Sequence, residues 1–366
     1  MLFIEKEIRS ELTKFIRINT LHGTVLYLID MSMYLACILG VLYLPELWMK
    51  AIASIGAGIK ISNLATIAHD AGHNSLTRSR KLNDFIAVIA LLPGLMNYRL
   101  WAYNHQLHHS LTNKKFPESI FPDNFTPYSK EEFDALTPFS QKKEKFYRMP
   151  SLIGFGIYFI YERWLNVMLF PRNHMSKEVH EKAWKNFTLV AIYFSCLMIL
   201  LSSASIFTET TSFVAIFLGL FMPILIFQCL MGFTVYVQHT HERVAWFKDS
   251  TNDEKNGNNK HEVSSIQLTF SKWLAPLMEM HHAYDHGAHH ICPAIPCYRV
   301  KKAQERLNEL LGEKTVSQRF SLSWLFKTMN KCKLYDYENH CWLNFDGKPT
   351  TSPIHSDKQI EFSNAA

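Results

Sequence analysis

Imidazole nitrogen is the donor atom that recurs in this chain of 366 residues, and it recurs at helical spacing. Of eighteen histidines, five fall within the ten residues from His281 to His290. There His286, His289 and His290 stand at i, i+3 and i+4, which puts three rings on one face of a helix. Pro293 and Pro296 must end that helix, because proline cannot donate the ladder hydrogen bond. His105, His108 and His109 repeat the spacing, and His69 and His73 form an i, i+4 pair. His239, in Gln238-His239-Thr240-His241-Glu242, closes a long apolar run. One such pair alone is a common surface or capping feature. Four clusters, two of them His-x-x-His-His, call for metal, since imidazole is the commonest metal ligand.

The number of ligands bounds the metal count. Catalytic or structural sites take about three or four protein ligands each, so nine histidines suit two metals with open positions. Soluble di-iron oxygenases build such centres from glutamates and Glu-x-x-His pairs. Here carboxylates are scarce inside the clusters and imidazoles take their place. Iron with open positions can bind and activate dioxygen, so oxidation of an unactivated substrate is the natural chemistry. Asp70, Asn104, Glu242 and Asp285 sit beside the clusters and suit groups that orient imidazoles from behind.

The elements that must position these rings are apolar. Four runs, Thr24–Leu44, Ala51–Ala68, Phe187–Phe207 and Ser212–Val237, are long enough or nearly so to cross a ~30 Å hydrocarbon core as helices. The second and fourth run straight into His69 and His239. Between His69 and Lys185 lie sixteen Lys and Arg, against one in Pro45–Lys50 and none in Thr208–Thr211, which assigns the histidine side to the cytosol. The expected fold is an all-α membrane protein: four transmembrane helices in two hairpins, with a helical cytosolic cap holding every histidine cluster. Its parts are an N-terminal amphipathic or interfacial segment (1–23), one domain (24–348) and a disordered tail (349–366). Met1–Thr20 carries charge throughout and does not read as a signal peptide. Asp30, Lys60 and Asn63 inside the first two runs are costly there and are functional candidates.

Other stretches fill in the cap. Phe85–Met96 and Leu152–Leu165 are too short to span and suit interfacial helices, with Trp101 and Trp164 nearby. They are also expected to wall an apolar tunnel, with Ile86, Ile89, Leu92, Ile153, Ile157 and Ile160 as its measuring residues. Pro117–Pro138 and Lys248–His261 read as loops, and Arg299–Glu313 as a helix. A net charge of +6 suits anionic lipid or an acidic partner, and no nucleic-acid module is visible. Seven scattered cysteines build no thiolate metal site.

His69-Asp70-Ala71-Gly72-His73, Asn104–His109 and His286–His290 resemble the three histidine boxes of the membrane fatty acid desaturase family. Ala294–Tyr298, Cys332–Tyr337 and Phe345-Asp346-Gly347 extend the resemblance to bacterial acyl-lipid desaturases of the delta-12 type, over roughly Lys60 to Lys348. The resemblance implies two non-haem irons, with O2 as co-substrate, held by His69, His73, His105, His108, His109, His239, His286, His289 and His290. It adds His281, which resembles a histidine often found five residues before the third box. The implied reaction puts a cis double bond into a lipid-linked acyl chain, at the cytosolic face of a bacterial inner membrane. The third box opens with His286 rather than the glutamine of front-end desaturases. No His-Pro-Gly-Gly haem motif is present, so electrons are expected from a separate ferredoxin or cytochrome b5-like carrier.

Three other readings compete. A hydroxylase or ketolase would use the same scaffold and add oxygen instead. A zinc protease is suggested by His69-Asp70-x-x-His73, which mimics His-Glu-x-x-His with one methylene too few and leaves two boxes unexplained. A metal transporter would place its ligands near the bilayer midplane, not beyond the ends of the spans.

Overall fold

In the computed structural model, which describes residues 2–115, 125–171, 175–248 and 265–354, helices dominate. α1 (Leu2–Thr13) precedes α2 (Thr20–Tyr43), whose first turn is capped by the Asn19 side chain accepting from the His22 amide at 3.1 Å. α3 (Leu47–Gly72) packs along α2 and carries His69 in its last turn. α4 (Arg80–Leu91) and α5 (Tyr98–Leu111) follow, then the short α6 (Lys130–Ala135) and α7 (Pro138–Tyr147). α8 (Leu152–Tyr158) continues as a π-helix over Phe159–Leu169. α9 (Lys177–Ser202) and α10 (Ser212–His239) complete the long helices. The last three are α11 (His286–Ile291), α12 (Cys297–Leu311) and α13 (Leu322–Lys331).

α2, α3, α9 and α10 are long and apolar enough to cross a membrane. Their outward faces expose Leu28, Leu35, Ile52, Ile192 and Ile199, the surface a lipid solvent requires. The expected spans match these helices with shifted ends. α9 starts at Lys177, where Ser176 caps a charged first turn, and stops at Ser202; Ala204–Phe207 is a separate turn. Glycine permits the closest approach between helices. A Cβ at Gly232 of α10 would collide with the Phe155 carbonyl of α8.

The all-helical expectation misses three short strand pairs, each too brief to leave an alternating pattern in the sequence. β1 (Lys114–Lys115) runs parallel to β2 (Phe247–Lys248), and β3 (Gln267–Thr269) parallel to β4 (Ser317–Arg319). β5 (Leu334–Asp336) and β6 (Cys341–Leu343) are antiparallel. The tail expected to be disordered from 349 is held at its start. Pro349 pairs with Leu343, and the Thr350 amide donates to the Trp342 carbonyl at 2.8 Å. Residues 355–366, and the loop expected at Lys248–His261 beyond its first residue, lie outside the described residues. Of the loop expected at Pro117–Pro138, the described part contains α6, set by a capping box between Ser129 and Glu132. α1 is not simply interfacial: it buries Ile8 and Leu12 against Val300, Ala303 and Leu307 of α12.

Gly232→Ala is expected to destabilise the protein by roughly 1–3 kcal/mol, because the colliding atom is backbone and cannot rotate away. Thermal unfolding in detergent checks this; an unchanged midpoint contradicts it.

Candidate metal centre

Three helix ends and one short helix deliver the imidazoles. α3 brings His69 in its last turn and His73 as its cap residue. α5 brings His105, His108 and His109, α10 ends on His239, and α11 carries His286, His289 and His290. Backbone ties register these pieces. The Phe247 amide donates to the Asn113 carbonyl at 2.9 Å, fixing the end of α5 to the chain beyond α10. Gln238 Nε2 donates to the Ala283 carbonyl at 3.0 Å, and the Thr234 and Tyr284 hydroxyls lie 2.9 Å apart, fixing the third box to α10. The Leu268 amide donates to the Tyr284 carbonyl at 3.2 Å from the other side.

The nine rings separate into two groups. His69, His73, His105, His109 and His289 form one, and His108, His239, His286 and His290 the other; within each, the donor atoms lie within 4.8 Å of one another. The boxes interleave. His105 and His109 turn to the first group while His108 turns to the second; His286 and His290 turn to the second while His289 turns to the first. Nε2 atoms face each other at 3.0 Å for His73–His105, His105–His109 and His109–His289. In the second group the separations are 3.1 Å for His239–His286 and 2.9 Å for His286–His290. Ligand nitrogens at right angles around a metal about 2.1 Å away lie about 3.0 Å apart, so the donor sets fit a metal in each group.

Electrostatics agree. Burial, reinforced by the neighbouring imidazoles, pushes His105, His109, His286, His289 and His290 well below the ordinary imidazole range. They are held neutral, with lone pairs available, the state in which imidazole ligates. Trp101 stacks on His105 at 4.7 Å between ring centroids and closes one side.

His281 is not with them. It belongs to neither group; its Nε2 lies 2.5 Å from Asp30 Oδ2, an atom of α2. The same carboxylate takes Lys60 Nζ at 2.8 Å and Asn63 Nδ2 at 3.4 Å. The polar residues singled out within the first two spans thus converge on one buried carboxylate. His281 sits in a left-handed run, with φ of 41°, 51° and 64° at Met280, His281 and His282, which turns its ring away from the face of α11.

The residues expected behind the ligands divide. Asp70 Oδ1 lies 3.3 Å from His69 Nδ1, and its Oδ2 accepts from the Cys297 amide at 2.5 Å, joining the first box to the start of α12. Asp285 accepts from Gln267 Nε2 at 2.7 Å and lies 3.7 Å from His282, and burial raises its carboxyl above the ordinary range. Asn104 spends its amide on the Leu100 carbonyl one turn back in α5. Glu242 pairs with Lys331 at 2.5 Å. Sequence reasoning missed Thr112, whose Oγ1 lies 3.2 Å from His290 Nδ1; a threonine at a helix end carries no signal of such a contact.

A cavity of about 110 Å³ opens against the histidines, lined by His69, His105, His108, His286 and His289. Its apolar walls include Met96, Trp101, Phe159, Met168, Met231 and Met280. The two stretches expected to wall a tunnel contribute Met96, Phe159 and Arg163. The isoleucines expected to measure depth do other work: Ile86 is buried in the core that α4 shares with α2 and α3, and Ile153 and Ile157 are exposed. Trp164 donates to the Leu95 carbonyl at 2.8 Å instead of standing at the cavity.

Four apolar helices long enough for a bilayer, with two clusters of imidazoles beside an apolar cavity, fit a membrane protein with a metal site. The sequence profile described as fatty acid desaturase matches residues 45–321. The chain belongs to the fatty acid desaturase family, and with it to the oxidoreductases. It is similar to an sn-1 oleoyl-lipid 12-desaturase of Synechocystis sp., 26% identical over 306 residues that cover 82% of this chain and 80% of the relative. An sn-1 acyl-lipid omega-3 desaturase (ferredoxin) of the same organism is 23% identical, covering 74% of this chain and 70% of the relative. The chloroplastic omega-6 fatty acid desaturase of Spinacia oleracea is 23% identical; the match covers 82% of this chain and 62% of that longer protein.

The buried neutral histidines make stability depend on pH in a definite direction. Unfolded, each takes up a proton near its ordinary value of about 6.5, while folded it does so only at lower pH. The metal-free protein is therefore expected to keep its full stability above about pH 6.5 and to lose it progressively as the pH falls. Thermal unfolding of chelator-treated protein between about pH 8 and pH 5 checks the slope; a flat profile contradicts it.

Proposed function

We propose that this protein introduces a cis double bond into a lipid-linked acyl chain at two non-haem irons held by the nine histidines. The observation that carries the reading is the pair of five- and four-imidazole groups at an apolar cavity, in a chain of the fatty acid desaturase family. The overall change is –CH2–CH2– plus O2, two electrons and two protons, giving –CH=CH– and two waters. Iron at these groups would supply binding and activation of dioxygen.

The residues of the chain do the rest. His69, His73, His105, His109 and His289 would hold one metal, and His108, His239, His286 and His290 the other. Asp70 orients His69 from behind through Nδ1. The apolar side chains of the cavity receive the methylenes and exclude water, and the flexible methionines at Met96, Met168, Met231 and Met280 conform to the chain. The spans α2–α3 and α9–α10 act as two hairpins that keep every histidine cluster on the cytosolic side, in a bacterial inner membrane. The relatives named as oleoyl-lipid and acyl-lipid desaturases support a lipid-linked substrate and delta-12-type chemistry.

Lipid profiling of a host expressing the protein tests the reaction. New unsaturated acyl chains are expected, and their loss in His105→Ala and His239→Ala variants that still insert in the membrane. An added hydroxyl or keto group would reassign the chain to oxygenation, and full activity in either variant would remove that histidine from the ligand set.

One relative is named for ferredoxin, which supports an acidic ferredoxin as electron donor, with a cytochrome b5-like carrier as the other class. Steering by the basic surface of the cap should weaken as the Debye length shrinks from ~10 Å at 0.1 M salt to ~3 Å at 1 M. Turnover at limiting donor is expected to fall with salt while turnover at saturating donor holds. Equal salt dependence in both regimes counts against electrostatic docking.

A further inference from the structure

A hydroxyl stands behind the four-histidine group. Thr112 follows the last turn of α5 and is 4% exposed. Its Oγ1 lies 2.6 Å from the His108 carbonyl oxygen and 3.2 Å from His290 Nδ1. A hydroxyl has one proton to give and a carbonyl can only accept, so the shorter contact consumes that proton. Toward His290 the threonine oxygen can then only accept. Nδ1 of His290 must carry the ring proton, which leaves its Nε2 bare, 2.9 Å from His286 Nε2 and directed into the group.

We propose that Thr112 is a positioning residue for the second metal: it fixes His290 in the Nδ1–H tautomer and sets the angle of its ring. This rests on the reading of the two histidine groups as metal sites. The backbone holds the hydroxyl in place. Asn113 adopts a left-handed φ of 54°, its Nδ2 donates to the Ala245 carbonyl at 3.0 Å, and its carbonyl accepts from Phe247. The device mirrors the one on the first group, where Asp70 faces His69 Nδ1. Each group thus has at least one ligand whose tautomer a neighbour outside the group can set, His69 through a carboxylate and His290 through a hydroxyl. The hydroxyl also joins the second and third boxes, because its two partners belong to α5 and α11.

The test uses the full-length protein in detergent, stripped of metal and titrated with cobalt(II) alone, read by visible absorption and metal analysis. The wild type is expected to take up two cobalt ions per chain. T112V keeps the shape of threonine and removes the hydroxyl. It should retain the helical circular dichroism and elution volume, bind the first ion normally, and bind the second roughly 10–100-fold more weakly. T112S should restore the second site. A folded T112V that binds both ions as tightly as the wild type, or a T112S that behaves like T112V, overturns the proposal. An independent measurement needs no variant: nitrogen-15 shifts of zinc-loaded wild type should show His290 protonated at Nδ1 and ligated through Nε2. The reverse assignment overturns the role of Thr112 while leaving the metal sites standing. A wild type that takes up no cobalt overturns the metal reading, and this proposal with it.

Discussion

Nine imidazoles brought out of water and turned toward one another are the constraint on which the rest of the structure depends. Buried rings cannot be charged cheaply, and each neighbour makes protonation costlier still, so His105, His109, His286, His289 and His290 are held neutral. Rings that face one another through Nε2 atoms 2.9–3.1 Å apart share too few protons to satisfy every lone pair. A metal would resolve that deficit, and its binding free energy would then become part of folding. The spans, the cap helices and the strand pairs all serve to hold this unfavourable crowd of nitrogens in register. The short β1–β2 and β3–β4 pairs add little burial; their contribution is to lock the chain segments that flank boxes two and three.

A second buried polar cluster connects the membrane helices to this centre. Asp30 in α2 receives Lys60 and Asn63 from α3 and His281 from the segment that leads into α11. Three consecutive left-handed residues cost of order 1–3 kcal/mol each and persist only where the surroundings fix them. The Asp30–His281 contact is one such tie. It explains why a charged residue stands within the first span: the carboxylate is satisfied by three donors, and one of them anchors the approach to the third box.

Much of this was legible in the sequence, and the reasons differ from element to element. The i, i+3, i+4 spacing works because α5 and α11 are regular helices, so periodicity alone put His105–His108–His109 and His286–His289–His290 on common faces. Hydropathy located α2, α3 and α10 because lipid-facing and core-facing positions are both apolar there. It also found the apolar part of α9, but not the charged first turns that precede it or its stop at Ser202. His281 was expected as a further ligand only through the family resemblance; it lies outside both groups, in the left-handed backbone before α11. The cavity wall was misread because a π-helix at Phe159–Leu169 presents Phe159, Arg163 and Met168, and no residue pattern distinguishes it from an α-helix. Thr112 was invisible because its partner His290 lies far along the chain and meets it only through tertiary packing.

The interleaving of the boxes has a consequence for how the centre can form. In each His-x-x-His-His box the i, i+4 pair shares one side of the helix and serves one group. The i+3 ring is rotated a further step and reaches the other group. A helix carrying this spacing therefore cannot belong to one metal group alone. α5 contributes two rings to the first group and one to the second; α11 contributes one and two. α3 and His239 then complete the sets asymmetrically, with two rings to the first group and one to the second, which yields five and four. Neither set is complete unless both short helices are docked, so the two groups must assemble together. A metal in the second group would have fewer ligands and the more open coordination sphere, so each ring would carry a larger share of its geometry. That is the group in which the Thr112 hydroxyl, behind His290, would have the most to orient.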